Sequence, residues 1–182
     1  MIKIMNHIKE LDILKSNITL IAICNEFKNK IATELAQRLG MFVVNINDLI
    51  KYDLLNINEV IKVAGLDYYN KVETKTVKAV SSYENSLIIL DLDTFFNNDN
   101  FKILKESSLF IYLNLNFEDY KKILEKSYTP VKHFEQILNK KTFKEKDIIL
   151  KSVSDIIINI DLNENIEDLI IEKIKNYYKE VL

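Results

Sequence analysis

The chain has 182 residues, of which 48% are hydrophobic, and it contains a single cysteine. This length fits one domain with a continuous hydrophobic core, since domains typically run about 100–200 residues. The formal net charge is −2, with lysines and acidic residues interspersed, so the sequence lacks the basic face that nucleic-acid binding requires.

The apolar segments are short and the first residues are charged. Apolar runs such as residues 87–90 and 156–158 are far below the roughly 20 residues of a membrane span. Residues 1–17 contain charges throughout, without an apolar stretch that leads to a small-residue cleavage site, so we expect no secretory signal. The lone Cys24 forms no internal disulfide, and a reducing cytoplasm is the expected location.

Short apolar strands alternate with amphipathic helices along the chain. This alternation predicts an α/β fold with a five-stranded parallel sheet and helices on both faces. We expect residues 1–16 to form an extension with a short helix and residues 17–182 to form the single domain, with a lid-like region at about 127–147. The apolar periodicity predicts strands at 18–24, 42–46, 86–92, 109–115 and 155–160. It predicts helices at 28–39, 58–64, 66–80, 117–126 and 134–151, and a last helix that begins after a cap at Asn163.

Several helix ends carry their own signals. Gly40 is predicted to end the first helix, and Gly65 the helix at 58–64. Asn47 or Asp48 is predicted to cap a helical turn after the second strand, and Asn116 to cap the helix at 117–126. No helix is predicted between the third and fourth strands.

The first strand, turn and helix have the outline of a phosphate-binding loop. In the pattern G-x-x-x-x-G-K-[S/T], flexible backbone directs amides onto phosphate oxygens and the hydroxyl reaches magnesium. Lys28 keeps the lysine position, whereas Ala22, Asn25, Phe27 and Asn29 replace the other residues of the loop. A side chain in a left-handed backbone conformation costs roughly 1–2 kcal/mol. We therefore predict that the turn at 22–29 does not enclose a triphosphate.

Three motifs follow one another without a gap relative to a known family: ITLI at 18–21, LAQRLGMF at 35–42 and NDLI at 47–50. Two later motifs of the same kind are YNKVE at 69–73 and SDII at 154–157. With these motifs, residues 17–182 resemble a shikimate kinase, in the nucleoside-monophosphate-kinase-like branch of the P-loop proteins. The resemblance implies a three-layer P-loop fold and, in active members, transfer of phosphate from ATP with magnesium to an alcohol group.

The resemblance also implies site residues, and this chain departs from most of them. The Asp-x-Asp that serves magnesium and substrate falls on 45–47, where both outer residues are asparagine, and the glycine run after the third strand falls near 92–94. The arginine that grips the substrate carboxylate falls on Asn70, which leaves Glu73 in register, and the second substrate arginine falls on Lys146. The implied candidates are Lys28 and Asn29 for nucleotide and Lys146 and Glu73 for substrate, with no metal ligand assigned.

Each remaining candidate has two interpretations. Lys28 either meets a phosphate at a helix N-terminus or is a solvated lysine of the first turn. Asp91 and Asp93 follow a predicted parallel strand at the edge where such sheets bind ligands. As catalytic candidates they hold magnesium or accept a hydroxyl proton; otherwise Asp93 caps the next turn and Asp91 is exposed. Cys24 is expected to be a buried, unreactive thiol.

These departures favour a family member that has lost phosphoryl transfer and is retained as a binding or scaffolding protein, with a partner protein or as a homodimer. One alternative is a divergent kinase that uses MgATP with Lys28, Asp91 and Asp93. A second is a nucleotide sensor without turnover. The chain contains two glycines and one arginine, and an AT-rich genome is an alternative cause of that scarcity.

Overall fold

The computed structural model describes residues 15–126, 139–162 and 165–181. Its centre is one five-stranded sheet with the strand order β2-β3-β1-β4-β5. All four strand pairings are parallel. The predicted α/β fold with a five-stranded parallel sheet is therefore confirmed. The strands are β1 (Asn17–Ile21), β2 (Phe42–Asn45), β3 (Ser86–Ile89), β4 (Ser108–Asn114) and β5 (Ile156–Asn159).

Helices connect the strands in every βαβ unit. The helices of the described residues are α1 (Asn25–Leu39), α2 (Ile46–Leu54), α3 (Ile57–Ala64), α4 (Leu66–Ser81), α5 (Leu92–Phe96), α6 (Asn98–Ser107), α7 (Phe117–Lys126), α8 (Lys140–Val153) and α9 (Ile166–Val181). None of the helices in the described ranges is long and apolar enough to cross a membrane.

The sheet separates two hydrophobic clusters, because alternate residues of a strand point to opposite faces. In β3, Leu87 and Ile89 belong to one cluster and Ile88 to the other. The first cluster includes residues of α1, α7 and α9, and the second includes residues of α2, α4, α5, α6 and α8. Buried positions on both faces of β1, β3 and β4 explain why these three strands have near-continuous apolar sequences.

The ends of the first strand and helix differ from prediction. β1 ends at Ile21 rather than at residue 24, and α1 begins at Asn25 rather than at Lys28. The cause is a helical hydrogen bond of 3.1 Å from Lys28 N to the carbonyl oxygen of Cys24. The segment that aligns with a phosphate-binding loop is therefore largely helical.

Helices α5 and α6 were not predicted, and one cap was misplaced. Asn97 begins α6 by accepting a hydrogen bond from Asp99 N at 3.1 Å. Asn45 caps α2 by accepting hydrogen bonds from the main-chain nitrogens of Asn47 and Asp48. The prediction that Asn47 or Asp48 is the cap was therefore wrong, because the helix begins directly at the end of β2.

Other predicted ends are confirmed. Gly40 ends α1 with φ 67° and Gly65 follows α3 with φ 86°, both in backbone regions that favour glycine. Asn116 accepts from Asp119 N at 2.9 Å at the start of α7. The predicted extension helix, most of the lid-like region and the cap at Asn163 lie outside the described residues, and Asn165 caps α9 through Asp168 N at 3.0 Å.

Candidate nucleotide site

The candidate site lies where the chain changes direction across the sheet. From β1 the chain crosses to β2 on one side, and from β3 it crosses to β4 on the other, while β1 and β3 are neighbours. Open α/β sheets bind ligands outside the carboxyl ends of the strands at such a point. Three segments meet this edge, namely residues 22–25 after β1, residues 90–91 after β3 and residues 45–47 at the end of β2.

The turn after β1 is short and unstrained. Only residues 22–24 separate β1 from α1. Among the described non-glycine residues, positive φ occurs at Leu55 and Asn85, so Phe27 is not held in a left-handed conformation. The expected strain at Phe27 is therefore absent, because the chain continues as a helix through this position instead of forming the open loop.

The Lys28 ammonium points into the protein. Its side chain is 1% exposed, and its Nζ donates to Asn25 Oδ1 at 2.8 Å and to the carbonyl oxygen of Leu90. Burial lowers the pKa of Lys28 to about 8, and the nearby Asp91 carboxylate opposes this change. The interpretation of Lys28 as a solvated first-turn lysine was therefore wrong.

The Asp91 carboxylate is held by two asparagine side chains. Asn25 Nδ2 donates to its Oδ1 at 2.7 Å, and Asn47 Nδ2 donates to its Oδ2 at 2.8 Å. Asn47 Oδ1 accepts in return from the main-chain nitrogen of Asp91 at 2.9 Å. Desolvation raises the pKa of Asp91, and Lys28 opposes that shift. Asp91 is thus half-buried and bonded, and the interpretation of an exposed Asp91 was wrong.

These five residues form the Lys28–Asp91 cluster: Asn25, Lys28, Asn47, Leu90 and Asp91. They come from the start of α1, the start of α2 and the segment after β3, so the fold brings together segments that are at least 19 positions apart in the sequence. Lys28 and Asp91 were singled out from the sequence, whereas Asn25 and Asn47 were not identified as their partners. The available signal was the presence of amides at the loop and Asp-x-Asp positions.

Two other candidates lie outside this cluster. Asn29 is exposed on α1, one residue beyond the buried Lys28. Asp93 is exposed in the first turn of α5. Neither side chain takes part in the hydrogen bonds that join Lys28 to Asp91 through Asn25, so the structure brings Asp91, but not Asp93, into the cluster with the lysine.

The amide side chains at the family's magnesium positions are engaged within the protein. Asn45 Oδ1 is engaged as the cap of α2, and both amide atoms of Asn47 are engaged with Asp91. The described parts of the chain contain no group of three or more His, Cys, Asp or Glu side chains suited to a metal ion.

Glu73 belongs to a separate buried cluster. Its Oε1 accepts from Thr94 Oγ1 at 2.8 Å and from Tyr69 Oη at 3.3 Å, and its Oε2 accepts from Asn100 Nδ2 at 2.9 Å. Glu73 is 5% exposed and joins α4 to α5 and α6. Lys146, the other substrate candidate, lies on α8 with its Nζ 5.9 Å from the ring centre of Phe96.

Cys24 is buried, as predicted, at the amino end of α1. Its burial raises the pKa of the thiol to about 11. Because the thiolate is the reactive form of cysteine, this environment disfavours nucleophilic chemistry at Cys24.

The family model and the relatives found by sequence comparison indicate the same family. The family model described as shikimate kinase matches residues 27–179. A shikimate kinase from Dictyoglomus turgidum is 23% identical over 171 residues, which cover 89% of this chain and 97% of the relative. A shikimate kinase from Caldicellulosiruptor bescii is 28% identical over 98 residues, and that match spans only 57% of the relative's length and 53% of this chain.

Solved structures of shikimate kinases have the same fold as this chain. The shikimate kinase from Acinetobacter baumannii in complex with shikimate superposes with a TM-score of 0.68 at 18% identity, over 88% of this chain and 91% of that one. At this identity the likeness concerns the fold alone. The family model covers most of the sequence, and the chain therefore belongs to the shikimate kinase family.

Proposed function

We propose that this member of the shikimate kinase family does not transfer phosphate and acts as a binding or scaffolding protein, as a homodimer or with a protein partner. The observation that carries the proposal is the state of Lys28, which is 1% exposed and bonded to Asn25 and Leu90 within the fold. To meet a phosphate, the ammonium has to become accessible, because it is buried and two of its three N–H donors are engaged within the fold. The helical turn at residues 25–27 likewise lacks the open amide cradle of a phosphate-binding loop.

The substrate side of the site supports the same proposal. The family's carboxylate-binding arginine falls on Asn70, and the single arginine of the chain, Arg38, is paired with Asp168 on α9. Arginine binds carboxylates and phosphates with a planar fork that lysine does not reproduce. Positioned cationic and amide donors supply most of the rate enhancement in phosphoryl transfer, and here several are replaced together.

A divergent kinase is the second candidate, and the comparisons favour it. The relatives that match this chain are named as shikimate kinases, and one of them aligns over 97% of its length. In this candidate function the chain phosphorylates an alcohol group of a small molecule, with MgATP as donor. The Lys28–Asp91 cluster then has to open before the nucleotide binds.

Calorimetric titration with MgATP and with shikimate, followed by a coupled assay for ADP release, distinguishes the candidates. We expect neither binding at micromolar concentrations nor turnover. Turnover that is abolished by Lys28→Ala would establish the kinase and overturn our proposal. Binding of ATP or ADP without product would instead identify a nucleotide sensor. An exposed-lysine variant, Lys30→Ala on the same helix, is the control for general effects of charge removal.

A further inference from the structure

Strand β2 forms one edge of the sheet and, within the described residues, pairs with β3 alone. Phe42 N donates to the carbonyl oxygen of Asn85 at 3.0 Å. In a parallel ladder every second residue bonds to the same neighbouring strand, so Phe42 and Val44 bond toward β3. The N–H and carbonyl groups of Val43 therefore point to the open side of β2.

This edge also has exposed apolar side chains on both faces of the sheet. Phe42 is 71% exposed and Val43 is 41% exposed. Val44 packs against the second hydrophobic cluster, and successive residues of a strand alternate between faces, so Phe42 lies on the face of Val44 and Val43 on the other. Residues 41–44 contain no charge and no proline, the features that usually prevent pairing at exposed edges.

Two β2 strands fit together in antiparallel orientation around a two-fold axis at Val43. Each Val43 N–H then donates to the carbonyl oxygen of the partner's Val43, because the two groups of one residue point to the same side. In this register Phe42 lies opposite the partner's Val44, and the two Val43 side chains face each other. Aromatic and β-branched residues form favourable cross-strand pairs. The next pair, Met41 with the partner's Asn45, brings no charges together.

The opposite edge of the sheet offers less apolar surface to a partner. In β5, Ile157 is 39% exposed, whereas its neighbours Ile156 and Ile158 are 7% and 1% exposed. A strand added at β5 would cover one exposed apolar side chain, and a strand added at β2 covers two. The β2 edge is therefore the better site for strand pairing.

We propose that a second copy of this chain pairs with β2, so that two five-stranded sheets join edge to edge. The inference rests on the proposed function and deepens it, since it names the binding partner as an identical chain. An identical chain fits because the two-fold register uses the same donors, acceptors and side chains on both sides. A stable interface buries about 800 Å² per partner, more than a four-residue strand supplies, so the dimer is weak and forms at raised concentration.

Sedimentation equilibrium between about 10 μM and about 1 mM protein tests the inference. We expect the average mass of the wild type to rise from that of one chain toward that of two. Val43→Lys and Val43→Glu each place like charges opposite one another, and each is expected to weaken association about tenfold. An equimolar mixture of these two variants is expected to regain association, because opposite charges then face each other. Ile157→Lys, on the other edge strand, is the matched control and should associate like the wild type.

A further variant covers the case in which the charged variants do not fold. Val43→Pro removes an N–H that points away from β3, a position where edge strands tolerate proline, and it is expected to lose the dimer with an unchanged circular dichroism spectrum.

A wild type that stays a single chain at every concentration overturns the inference. A dimer that persists in the Val43 variants, or a mixture that does not regain association, does the same. MgATP turnover by the wild type contradicts the proposed function instead, and it is measured separately from the mass.

Discussion

A structural role and a catalytic role of Lys28 predict different effects of its substitution. In Lys28→Met the carbonyl of Leu90 and the amide of Asn25 lose a donor, and Asp91 remains as a half-buried carboxylate. We expect the free energy of unfolding to fall by about 1–3 kcal/mol, the cost of leaving buried polar groups unpaired. Urea unfolding measures it.

The matched control for this prediction is Lys30→Met, an exposed position on the same helix, which should change the free energy of unfolding by less than about 0.5 kcal/mol. If Lys28→Met unfolds like the wild type but loses nucleotide binding, Lys28 binds nucleotide as the lysine of a kinase does, and our assignment of a structural role is wrong.

The lowered pKa of Lys28 makes stability depend on pH. The pKa is about 8 in the folded protein, against 10.5 as the ordinary value. Between these values the unfolded chain binds more protons than the folded protein, so the free energy of unfolding rises with pH. We expect the wild type to gain stability relative to Lys28→Met from about pH 8 to about pH 10.5, with a flat difference below about pH 8.

Urea unfolding of both proteins across this range measures the difference. A difference that decreases as the pH rises would mean that the folded protein favours the protonated amine, contrary to the burial of Lys28.

Single residues at the site were only partly predictable from the sequence. The position of Lys28 in a strand-turn-helix pattern and of Asp91 at a strand end marked both residues as notable. Their hydrogen bonds were not predictable, because Asp91 contacts Asn25 and Asn47 at sequence separations of 66 and 44 residues. Phe27 also differed from expectation, since the helix began early enough to remove the need for a left-handed backbone.

At the scale of the elements, the cluster around Glu73 determines how α4, α5 and α6 fit together. Thr94 Oγ1 donates to Glu73 Oε1 at 2.8 Å, and both residues are buried. Thr94→Val keeps the shape and removes this donor. We expect the variant to lose about 1.5–3 kcal/mol of stability, the range for hydrogen bonds to charged groups. Chemical unfolding measures the loss.

Thr76→Val is the control for the loss of a hydroxyl, because Thr76 Oγ1 bonds only to the Val72 carbonyl of its own helix at 3.0 Å. We expect it to change stability by less than half as much as Thr94→Val. Equal losses in the two variants would mean that the Glu73 contacts do not join the helices.

Elements with strong apolar periodicity were predictable, and polar ones were not. The four apolar residues at 87–90 identify β3, and the stripe on α9 identifies the last helix. Helix α6 has the sequence NDNFKILKES, in which few apolar residues mark a face, so its cap at Asn97 was the main available signal. Asn45 was missed as a cap because it is also the last residue of β2.

For the whole molecule, the architecture was predictable because it depends on the number and alternation of elements. Five apolar strands separated by helices specify a parallel sheet with covered faces. The strand order is a long-range property, and it was not predicted from the sequence. Function is less predictable than fold, because it depends on a few side chains at one edge of the sheet.

At the scale of the whole molecule, we also predict that nucleotide binding and phosphate transfer were lost through different residues. A variant with Ala22→Gly, Phe27→Gly and Asn29→Ser restores the residues of a phosphate-binding loop. We expect it to be less stable by about 2 kcal/mol or more, since glycine weakens α1 and the packing of Phe27 is lost. It should gain an ADP-dependent rise in Tm but no phosphorylation of shikimate, because Asn70 remains where the family has an arginine.

The control for this last prediction is the wild type, which should not respond to ADP because residues 25–27 are helical. An equal ADP response in the wild type and the triple variant would contradict a role of the loop residues in the loss of nucleotide binding. Formation of product by the triple variant, measured by coupled ADP release, would mean that the substrate side of the site is intact without arginine. The two outcomes are independent, because the loop residues at 22–29 and the amide at Asn70 lie on different elements of the fold.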